Sequence, residues 1–156
     1  MSPRYWLFKS EPESFSIDDL ARAPGQTTFW NGVRNYQARN MMRDDFKKGD
    51  QAFLYHSSCE IPGIAGIVEV VRTAYPDPTA FDKKHDHYDE GSDPKNPRWL
   101  VVDVQLKRRL KRVITLDELR KYETRELDGM LLLKRGNRLS ITPLSAAHWK
   151  FILTLE

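Results

Sequence analysis

The residues from Phe29 to Arg43 combine aromatic, amide and guanidinium side chains, a mixture suited to a planar ligand carried on a phosphate chain. Trp30 offers a wide π-face for stacking, and Gly32 would allow a ligand to approach the backbone without meeting a Cβ. Amides can match the polar edge of a base, while guanidinium groups can hold phosphate oxygens with two parallel hydrogen bonds. We therefore predict a ligand-binding segment that includes Trp30, Asn31, Gly32, Asn35, Tyr36 and Arg39, with Arg34 placed for phosphate.

From Asn35 onward the same segment has a helical pattern. Asn35 is suited to cap a helix, which would place Arg39 and Arg43 four residues apart on one face. A helix N-terminus also attracts anions, so an aromatic-floored loop would lead into an anion-binding end. The alternative is structural: Trp30 and Tyr36 would be core aromatics, since large aromatics are mostly buried, and the arginines would form a solvated face. Both interpretations remain open from these residues alone.

Polar residues follow two predicted strands at the points where the strands end. A short aromatic strand is predicted over residues 5–9 and an alternating strand over residues 51–56. Either end could supply polar groups to a binding pocket, and either could be an ordinary solvated turn. The residues concerned are Lys9, Ser10 and Glu11 at the first end, and His56 and Ser57 at the second.

The loop after the second of these strands also contains side chains that a hydrolase or transferase would use. His56 and Glu60 flank Ser57, Ser58 and Cys59. Neighbours in one short loop seldom converge on one reacting atom, and no Gly-x-Ser-x-Gly elbow or phosphate-binding loop accompanies them. A nucleotide-processing enzyme that uses His56 and Glu60 is therefore kept as an alternative.

The densest positive charge lies between residues 107 and 112, with more near residues 134–138. Such runs are typical contacts for phosphate backbones, and a solvated turn is the alternative. The residues predicted to contact a nucleic-acid backbone here are Lys107, Arg108, Arg109, Lys111, Arg112 and Arg138.

Potential metal ligands are concentrated between Asp82 and Glu90, where His85 and His87 stand one residue apart. A His-x-His pair in a polar loop, with no third ligand at a recognised spacing, is a weak metal signal. We predict a flexible acidic loop, with no metal and no other cofactor.

The totals describe an ordinary globular protein. Its 156 residues suit one domain over residues 1–156, and 25 basic against 22 acidic residues give a net charge of +3, a mild preference for polyanions. The single Cys59 cannot form an internal disulfide, which fits a reducing compartment. We expect no signal peptide, no membrane span and a monomer in the cytoplasm, or in the nucleus of a eukaryote.

Short strands with helices between them predict an α+β domain with a mixed, curled sheet that closes partly into a barrel. Further strands are predicted over residues 64–71, 99–106 and 139–141, the first of these forming a hairpin with residues 51–56. Helices are predicted after Ser16, from Asn35, after Thr115 and from Pro143. Residues 73–97 are predicted to be mostly irregular.

Five stretches taken together resemble the EVE domain family, and within it the thymocyte nuclear protein group. The long stretch that begins at Trp30 is highly specific, whereas the short ones are not. The likeness runs from Tyr5 to about Trp149. The stretches are Lys9-Ser10-Glu11-Pro12-Glu13, Trp30-Asn31-Gly32-Val33-Arg34-Asn35-Tyr36-Gln37-Ala38-Arg39-Asn40, Tyr55-His56-Ser57, Pro62-Gly63-Ile64-Ala65-Gly66 and Pro97-Arg98-Trp99.

This resemblance implies a PUA-like fold, a mixed β pseudo-barrel flanked by short helices and related to the YTH and SRA readers of modified bases. It also implies a non-catalytic pocket for a modified nucleobase in DNA or RNA. By similarity to YTH domains, Lys9, Ser10 and Trp30 would line that pocket, and Val33 joins the ligand-binding set through the long stretch.

The second side of the pocket would be closed by Tyr55, by Trp99 or by a non-aromatic wall. Three functions are carried forward from the sequence. The first is a reader of a modified base stacked on Trp30, the second is the nucleotide-processing enzyme, and the third is an adaptor that binds nucleic acid without regard to sequence.

Overall fold

The computed structural model describes residues 4–31, 33–136 and 139–156, so the predicted contacts of Gly32 and Arg138 lie outside the described residues. Within these ranges the chain forms six strands and four helices, with single 3₁₀ turns between some of them. The strands are β1 (Tyr5–Ser10), β2 (Thr27–Phe29), β3 (Gln51–His56), β4 (Gly63–Pro76), β5 (Leu100–Thr115) and β6 (Ile141–Leu144). The helices are α1 (Ile17–Arg22), α2 (Tyr36–Asp44), α3 (Leu116–Arg120) and α4 (Ala146–Leu153).

All six strands belong to one mixed sheet with the order β2-β5-β4-β3-β1-β6. The pairing of β1 with β3 is parallel and sets Ser10 opposite His56, while the other pairings are antiparallel. Parallel neighbours end at the same edge of a sheet, so the polar residues after β1 and β3 are brought together. The N–H of Ser57 donates to the Ser10 carbonyl over 2.9 Å.

The long strands β4 and β5 curl the sheet. Their register shifts at four places, and each such irregularity bends a strand and increases its twist. The α+β class with a mixed, curled sheet is confirmed, and so is the hairpin of β3 and β4.

Side chains alternate across the sheet and build a hydrophobic cluster on each face. Trp6 and Phe8 point into the first cluster, which α1 and α2 cover with Leu20 and Met42. Leu7, between them, points into the second cluster, which α3 and α4 cover with residues such as Leu119, Trp149 and Ile152. The apolar alternation of the sequence therefore decides which helix lies on which face.

Helix starts follow the predicted capping residues. Ser16 and Asp19 form a reciprocal capping box, and the side chains of Asn35 and Thr115 accept hydrogen bonds from the N–H groups of Ala38 and Glu118. The last helix is an exception to the prediction: it starts at Ala146 behind the cap Ser145, not at Pro143. Pro143 instead lies in β6, an edge strand that can do without one N–H.

Four strands differ from the prediction, and the last of them was predicted over residues 139–141 but forms over Ile141–Leu144. Strand β5 continues nine residues beyond the predicted end at Leu106, because its charged residues interrupt the alternation while it still pairs with β4, across register shifts, at Arg108, Arg109 and residues 114–115. Strand β4 continues to Pro76, into the part predicted to be irregular. The three-residue β2 was not predicted, since so short a segment has no period to detect. No helix in the described ranges is long and apolar enough to cross a membrane.

Gly66 allows α1 to pack closely on the sheet, and a substitution at Gly66 tests the importance of this close contact. A Cβ at Gly66 would lie 2.4 Å from Cδ1 of Ile17 and 2.9 Å from the Arg108 carbonyl oxygen. We expect Gly66→Ala to lower the free energy of unfolding by about 1–3 kcal/mol, the usual cost of overpacking, as measured by urea denaturation. Adding Ile17→Val removes the Cδ1 atom and should recover part of the loss, whereas no recovery would show that Ile17 is not the obstacle.

Candidate functional site

A cavity of about 630 Å³ opens where β1 and β2 end, a volume in the range of small-molecule sites. Three separate parts of the chain meet there: the end of β1 with the turn before α1, the end of β2 with the residues that follow, and the loop around His87. Ser140 completes the wall. The lining residues are Lys9, Ser10, Glu11, Ser14, Phe15, Thr28, Phe29, Trp30, Asn31, Val33, His85, Asp86, His87 and Ser140.

Trp30 serves both as a core residue and as part of the cavity wall. Only 8% of its surface is exposed, and its ring lies 5.2 Å from Phe8 and meets Phe15 edge-on at 6.3 Å, measured between ring centroids. Its backbone N–H donates to the Val102 carbonyl, which extends the pairing of β2 with β5. The two interpretations left open by the sequence are therefore compatible, because the indole is packed on one side and borders the cavity on another.

The cavity carries both signs of charge. Lys9, Glu11 and Asp86 all line it. Burial lowers the pKa of Lys9, since its ammonium group loses hydration and forms no ion pair within the described residues. The cavity lining therefore contains a donor of reduced hydration and two carboxylate acceptors.

A buried carboxylate ties the His87 loop to the segment after Trp30. Asp77 is fully buried and accepts a hydrogen bond from Arg34 over 3.0 Å. The same guanidinium donates to the His87 carbonyl over 2.5 Å and lies 5.4 Å from the ring of Trp99. Arg34 was predicted to contact phosphate, and the structure gives it this internal set of partners.

His56 supports the wall of the cavity from outside. Its Nε2 atom accepts the backbone N–H of Ile17 over 3.1 Å, at the start of α1. Burial lowers the pKa of His56, although the carboxylate of Asp18 opposes the shift. On the same side, the Ser10 hydroxyl donates to the Phe15 carbonyl over 2.6 Å. His56 and Ser57 therefore fix the turn that carries the lining residues and do not line the cavity themselves.

Two candidates for the second side of the pocket lie elsewhere. Tyr55 is buried in the second cluster, because alternation along β3 points it to the same face as Phe53, and burial raises its pKa to about 12. Trp99 stacks on Tyr36 with ring centroids 4.9 Å apart, and its indole N–H donates to Asp89 over 2.5 Å. The structure brings neither ring to the cavity, whose remaining walls are Phe15, Phe29 and the histidine loop.

The start of α2 forms a surface beside the cavity. Asn35 uses its side-chain oxygen to cap the helix, and Tyr36 is 52% exposed. Arg39 lies 4.9 Å from the Tyr36 ring and donates to the Arg98 carbonyl over 2.9 Å. These three predicted ligand-binding residues are thus outside the cavity lining, on an aromatic and basic patch next to it.

The basic run lies on β5, and carboxylates already neutralise most of it. Glu156 receives two hydrogen bonds from Arg108 and one from the Lys111 backbone, which lower its pKa to about 2. Any phosphate contact at these residues must therefore compete with an internal carboxylate. The ion pairs are Lys107–Glu69 at 3.6 Å, and Arg108–Glu156, Arg109–Asp18 and Arg112–Glu118 at 2.6 Å each.

Sequence reasoning missed about half of the cavity lining. The loop histidines were noticed as possible metal ligands, yet within the described residues no group of three or more such ligands is positioned to hold a metal. His85 and His87 line the cavity instead, with ring centroids 5.0 Å apart. Phe15 carried no signal of its own, because only the fold brings it beside Trp30. Phe29 stands at the start of the segment singled out in the sequence but was not predicted as a lining residue.

Comparison with known proteins gives consistent matches along nearly the whole chain. The family model described as the EVE domain matches residues 4–155. Thymocyte nuclear protein 1 of Gallus gallus is 51% identical over an alignment of 167 positions that covers 97% of this chain and 68% of the relative. Its Homo sapiens counterpart is 49% identical, covering 97% of this chain and 73% of the relative.

Solved structures agree in fold. Human thymocyte nuclear protein 1 in complex with DNA containing 5-methylcytosine superposes with a TM-score of 0.93 at 48% identity, covering 97% of this chain and 96% of that one. A Pseudomonas putida protein gives a TM-score of 0.90 at 43% identity, covering 97% and 98%. A YTH domain of Zygosaccharomyces rouxii, solved with N6-methyladenosine RNA, matches at only 13% identity and a TM-score of 0.52, which supports the fold alone. The predicted pseudo-barrel is confirmed.

The bond from Ile17 to His56 makes stability depend on pH. A histidine whose pKa is lowered in the folded state resists protonation there. The stabilisation that His56 gives the folded state is therefore complete above about pH 6.5 and is lost as the pH falls below that value. We expect the melting temperature of the wild type to fall between pH 7 and pH 5, and His56→Gln, which keeps an acceptor that does not titrate, to flatten this fall. An unchanged pH profile in the variant would assign the dependence to other groups.

Proposed function

Because the chain belongs to the EVE domain family, we propose that it is a non-catalytic domain that binds DNA or RNA and recognises a modified nucleobase in the cavity beside Trp30. The observation that carries this proposal is the cavity itself, where an indole meets polar groups of β1 and of the histidine loop. The relative solved with 5-methylcytosine DNA supports the choice of ligand. We propose one domain over residues 1–156, since both core clusters lie on one sheet. We also propose that it acts as a monomer, as expected from the sequence.

The energies favour an unpaired base as the ligand. Stacking on an aromatic ring contributes about 1–3 kcal/mol, which is similar to the few kcal/mol needed to extrude a base from a duplex. Single strands or damaged sites are therefore the easier targets. Burial of one methyl group adds only about 0.8 kcal/mol, so polar groups of the cavity must supply most of the discrimination.

The geometry at His56 is the reason to prefer binding over catalysis. A general base needs a free acceptor near the substrate, but His56 Nε2 already accepts the Ile17 N–H, and the residue does not line the cavity. The nucleotide-processing alternative with His56 and Glu60 therefore has no geometric support in the described residues.

We further propose a restricted role for the basic residues. The residues of the basic run would contact phosphates where an internal partner can be exchanged: Lys107, Arg108, Arg109, Lys111 and Arg112. Arg34 would contact phosphate only through N–H groups that Asp77 and His87 do not use, and Arg138 is kept from the sequence pattern. An adaptor that binds phosphate alone is less favoured, because the carboxylate partners reduce the free positive charge. By the same proposal the protein works where its nucleic acid is, in the nucleus of a eukaryote or otherwise in the cytoplasm.

The role of Trp30 is tested with a conservative variant, because Trp30→Ala would remove a core residue at a cost of about 3–5 kcal/mol. We expect Trp30→Phe to weaken binding of single-stranded DNA with one 5-methylcytosine by roughly fivefold, about 1 kcal/mol of stacking, in fluorescence anisotropy titrations. The matched control is Trp149→Phe, the same change in the second cluster, which should leave the affinity unchanged. Equal binding by both variants and the wild type would restrict Trp30 to a core role.

The salt dependence of binding tests the backbone contacts. For single strands, the slope of log K against log salt changes by about 0.7 for each phosphate contact. We expect a shallow slope for the wild type, and a slope steeper by about 0.7 for Glu156→Gln, which releases Arg108. Glu123→Gln removes the same charge beside Arg120, outside β5, and serves as the control. A slope that does not differ between the two variants would exclude Arg108 from the phosphate contacts.

A further inference from the structure

The guanidinium group of Arg39, on the surface patch at the start of α2, is held in place by neutral acceptors. Its Nε–H donates to the side-chain oxygen of Asn40 over 2.9 Å, and its Nη1 donates to the Arg98 carbonyl over 2.9 Å. Within the described residues Arg39 forms no ion pair, although it is half-buried. A partly buried positive charge is thus fixed without a counter-ion.

The arginines on either side of Arg39 in the sequence have carboxylate partners. Arg34 pairs with Asp77 at 3.0 Å, and Arg43, one turn further along α2, pairs with Asp44 at 2.8 Å. Hydrogen bonds from Arg43 lower the pKa of Asp44, and the charge of Arg39 adds only a smaller lowering. Arg39 therefore differs from these two arginines, and from the paired arginines of β5, in that its charge stays uncompensated.

Most of the hydrogen-bonding capacity of Arg39 is also unused. A guanidinium carries five N–H groups, and the bonds to Asn40 and Arg98 use two of them. Nη2 has no hydrogen-bond partner among the described residues, and it is not sealed off from solvent. A fixed, charged donor group that reaches solvent is suited to a phosphate oxygen.

An aromatic pair contributes to the fixed position of this guanidinium. Arg39 Cζ lies 4.9 Å from the centroid of the Tyr36 ring, and that ring stacks on Trp99 with centroids 4.9 Å apart. Trp99 is buried, and its indole N–H donates to Asp89. Because a guanidinium is attracted to the face of an aromatic ring, the exposed Tyr36 can orient Arg39 from a rigid base.

The surface patch lies close to the cavity. Val33 lines the cavity and stands three residues before Tyr36, a stretch that spans at most about 11 Å. Arg34 connects the two regions, since it donates to the carbonyl of the cavity residue His87 and lies 5.4 Å from the ring of Trp99. A strand with one base in the cavity carries a phosphate on each side of that nucleotide, and both phosphates stay near the cavity.

On these grounds we infer that Arg39 binds a backbone phosphate next to the nucleotide whose base occupies the cavity, and that Tyr36 is a positioning residue that orients the guanidinium. The inference rests on the proposed function and adds a phosphate site outside the cavity. At β5 a phosphate must first displace an internal carboxylate, whereas at Arg39 it displaces none.

The position of the contact is tested with single-stranded DNAs that carry one central 5-methylcytosine and one methylphosphonate, an uncharged linkage, at successive positions. Affinities are measured by fluorescence anisotropy. We expect the wild type to lose affinity roughly tenfold when one of the two linkages beside 5-methylcytosine is uncharged, and Arg39→Gln to be insensitive to the same replacement. If the replacements beside 5-methylcytosine cost the variant as much as they cost the wild type, the inference is overturned.

The salt dependence of binding measures the same contact independently. Arg39→Gln should lower the slope of log K against log salt by about 0.7, the value of one phosphate contact on a single strand, and Arg39→Lys, which keeps the charge, should retain the slope. The matched control is Arg43→Gln, the same change on the same helix at a guanidinium that Asp44 already neutralises, and it should leave the slope unchanged. An equal loss in both glutamine variants, or no loss in either, would contradict the inference.

Variants of Tyr36 separate positioning from direct contact. Tyr36→Phe keeps the ring and should keep the wild-type affinity, whereas Tyr36→Ala should lose part of the affinity that Arg39→Gln loses. In the Arg39→Gln background, Tyr36→Ala should have no further effect, because the ring acts through Arg39. A further loss of the same size would show that Tyr36 contacts the DNA itself and would rule out its positioning role. Melting temperatures confirm that each variant is folded.

Two further ligands keep this inference separate from the function on which it rests. One is the same DNA with cytosine in place of 5-methylcytosine, and the other is the nucleoside 5-methyl-2′-deoxycytidine, which has no phosphate. We expect Arg39→Gln to leave both the preference for 5-methylcytosine and the nucleoside affinity unchanged. If the preference is present but neither the salt slope nor the methylphosphonate effect depends on Arg39, the reader function stands and the inference falls. If the wild type binds both DNAs alike, the reader function itself is wrong, while the salt slope still decides whether Arg39 holds a phosphate.

Discussion

The ion pair between Arg34 and Asp77 holds the candidate site together. Asp77 is fully buried, and a buried carboxylate deprived of its partner is strongly unfavourable, so the segment after Trp30 and the loop that begins at Asp77 are held as one unit. Thr79 and His87 are connected to the same pair through direct hydrogen bonds. The cavity therefore owes its shape to a polar anchor behind its wall and not to the lining residues alone.

The parallel pairing of β1 with β3 positions the residues of another wall of the cavity. It places the ends of both strands at one edge of the sheet, where His56 holds the start of α1 and Ser10 holds the turn before it. Most predicted residues of these strand ends are thus found near the cavity, but with divided roles. Lys9, Ser10 and Glu11 line it, while His56 and Ser57 support the residues that do.

Local features of the fold could be predicted from the sequence because they depend on near neighbours. The caps at Ser16, Asn35 and Thr115 and the alternating strand over residues 51–56 are of this kind. Features that depend on distant partners could not be predicted. Arg108 is bound by Glu156, forty-eight residues later, so the basic run gave no sign of its neutralisation. His87 reaches the cavity through Arg34 and Asn31, which no spacing between them indicates.

The dual position of Trp30 likewise follows from the curled sheet and not from the residue type. A tryptophan in a polar segment could be read as a stacking platform or as a core residue, and the structure packs Trp30 in the first cluster while placing it in the wall of the cavity. This position couples the shape of the candidate cavity to the packing of the first cluster.

The pairing of β2 with β5 is short, and this affects whether copies of the protein can associate through strand edges. Only residues 103–105 of β5 pair with β2, which leaves the outer side of the following ten residues without a partner strand among those described. The free N–H and C=O groups of an unpaired strand edge can bind strands of neighbouring molecules. Charged side chains commonly protect such an edge. The closely packed arginines, lysines and carboxylates along that edge would have to lose their hydration before a foreign strand could dock, so they oppose aggregation at the longest strand of the sheet.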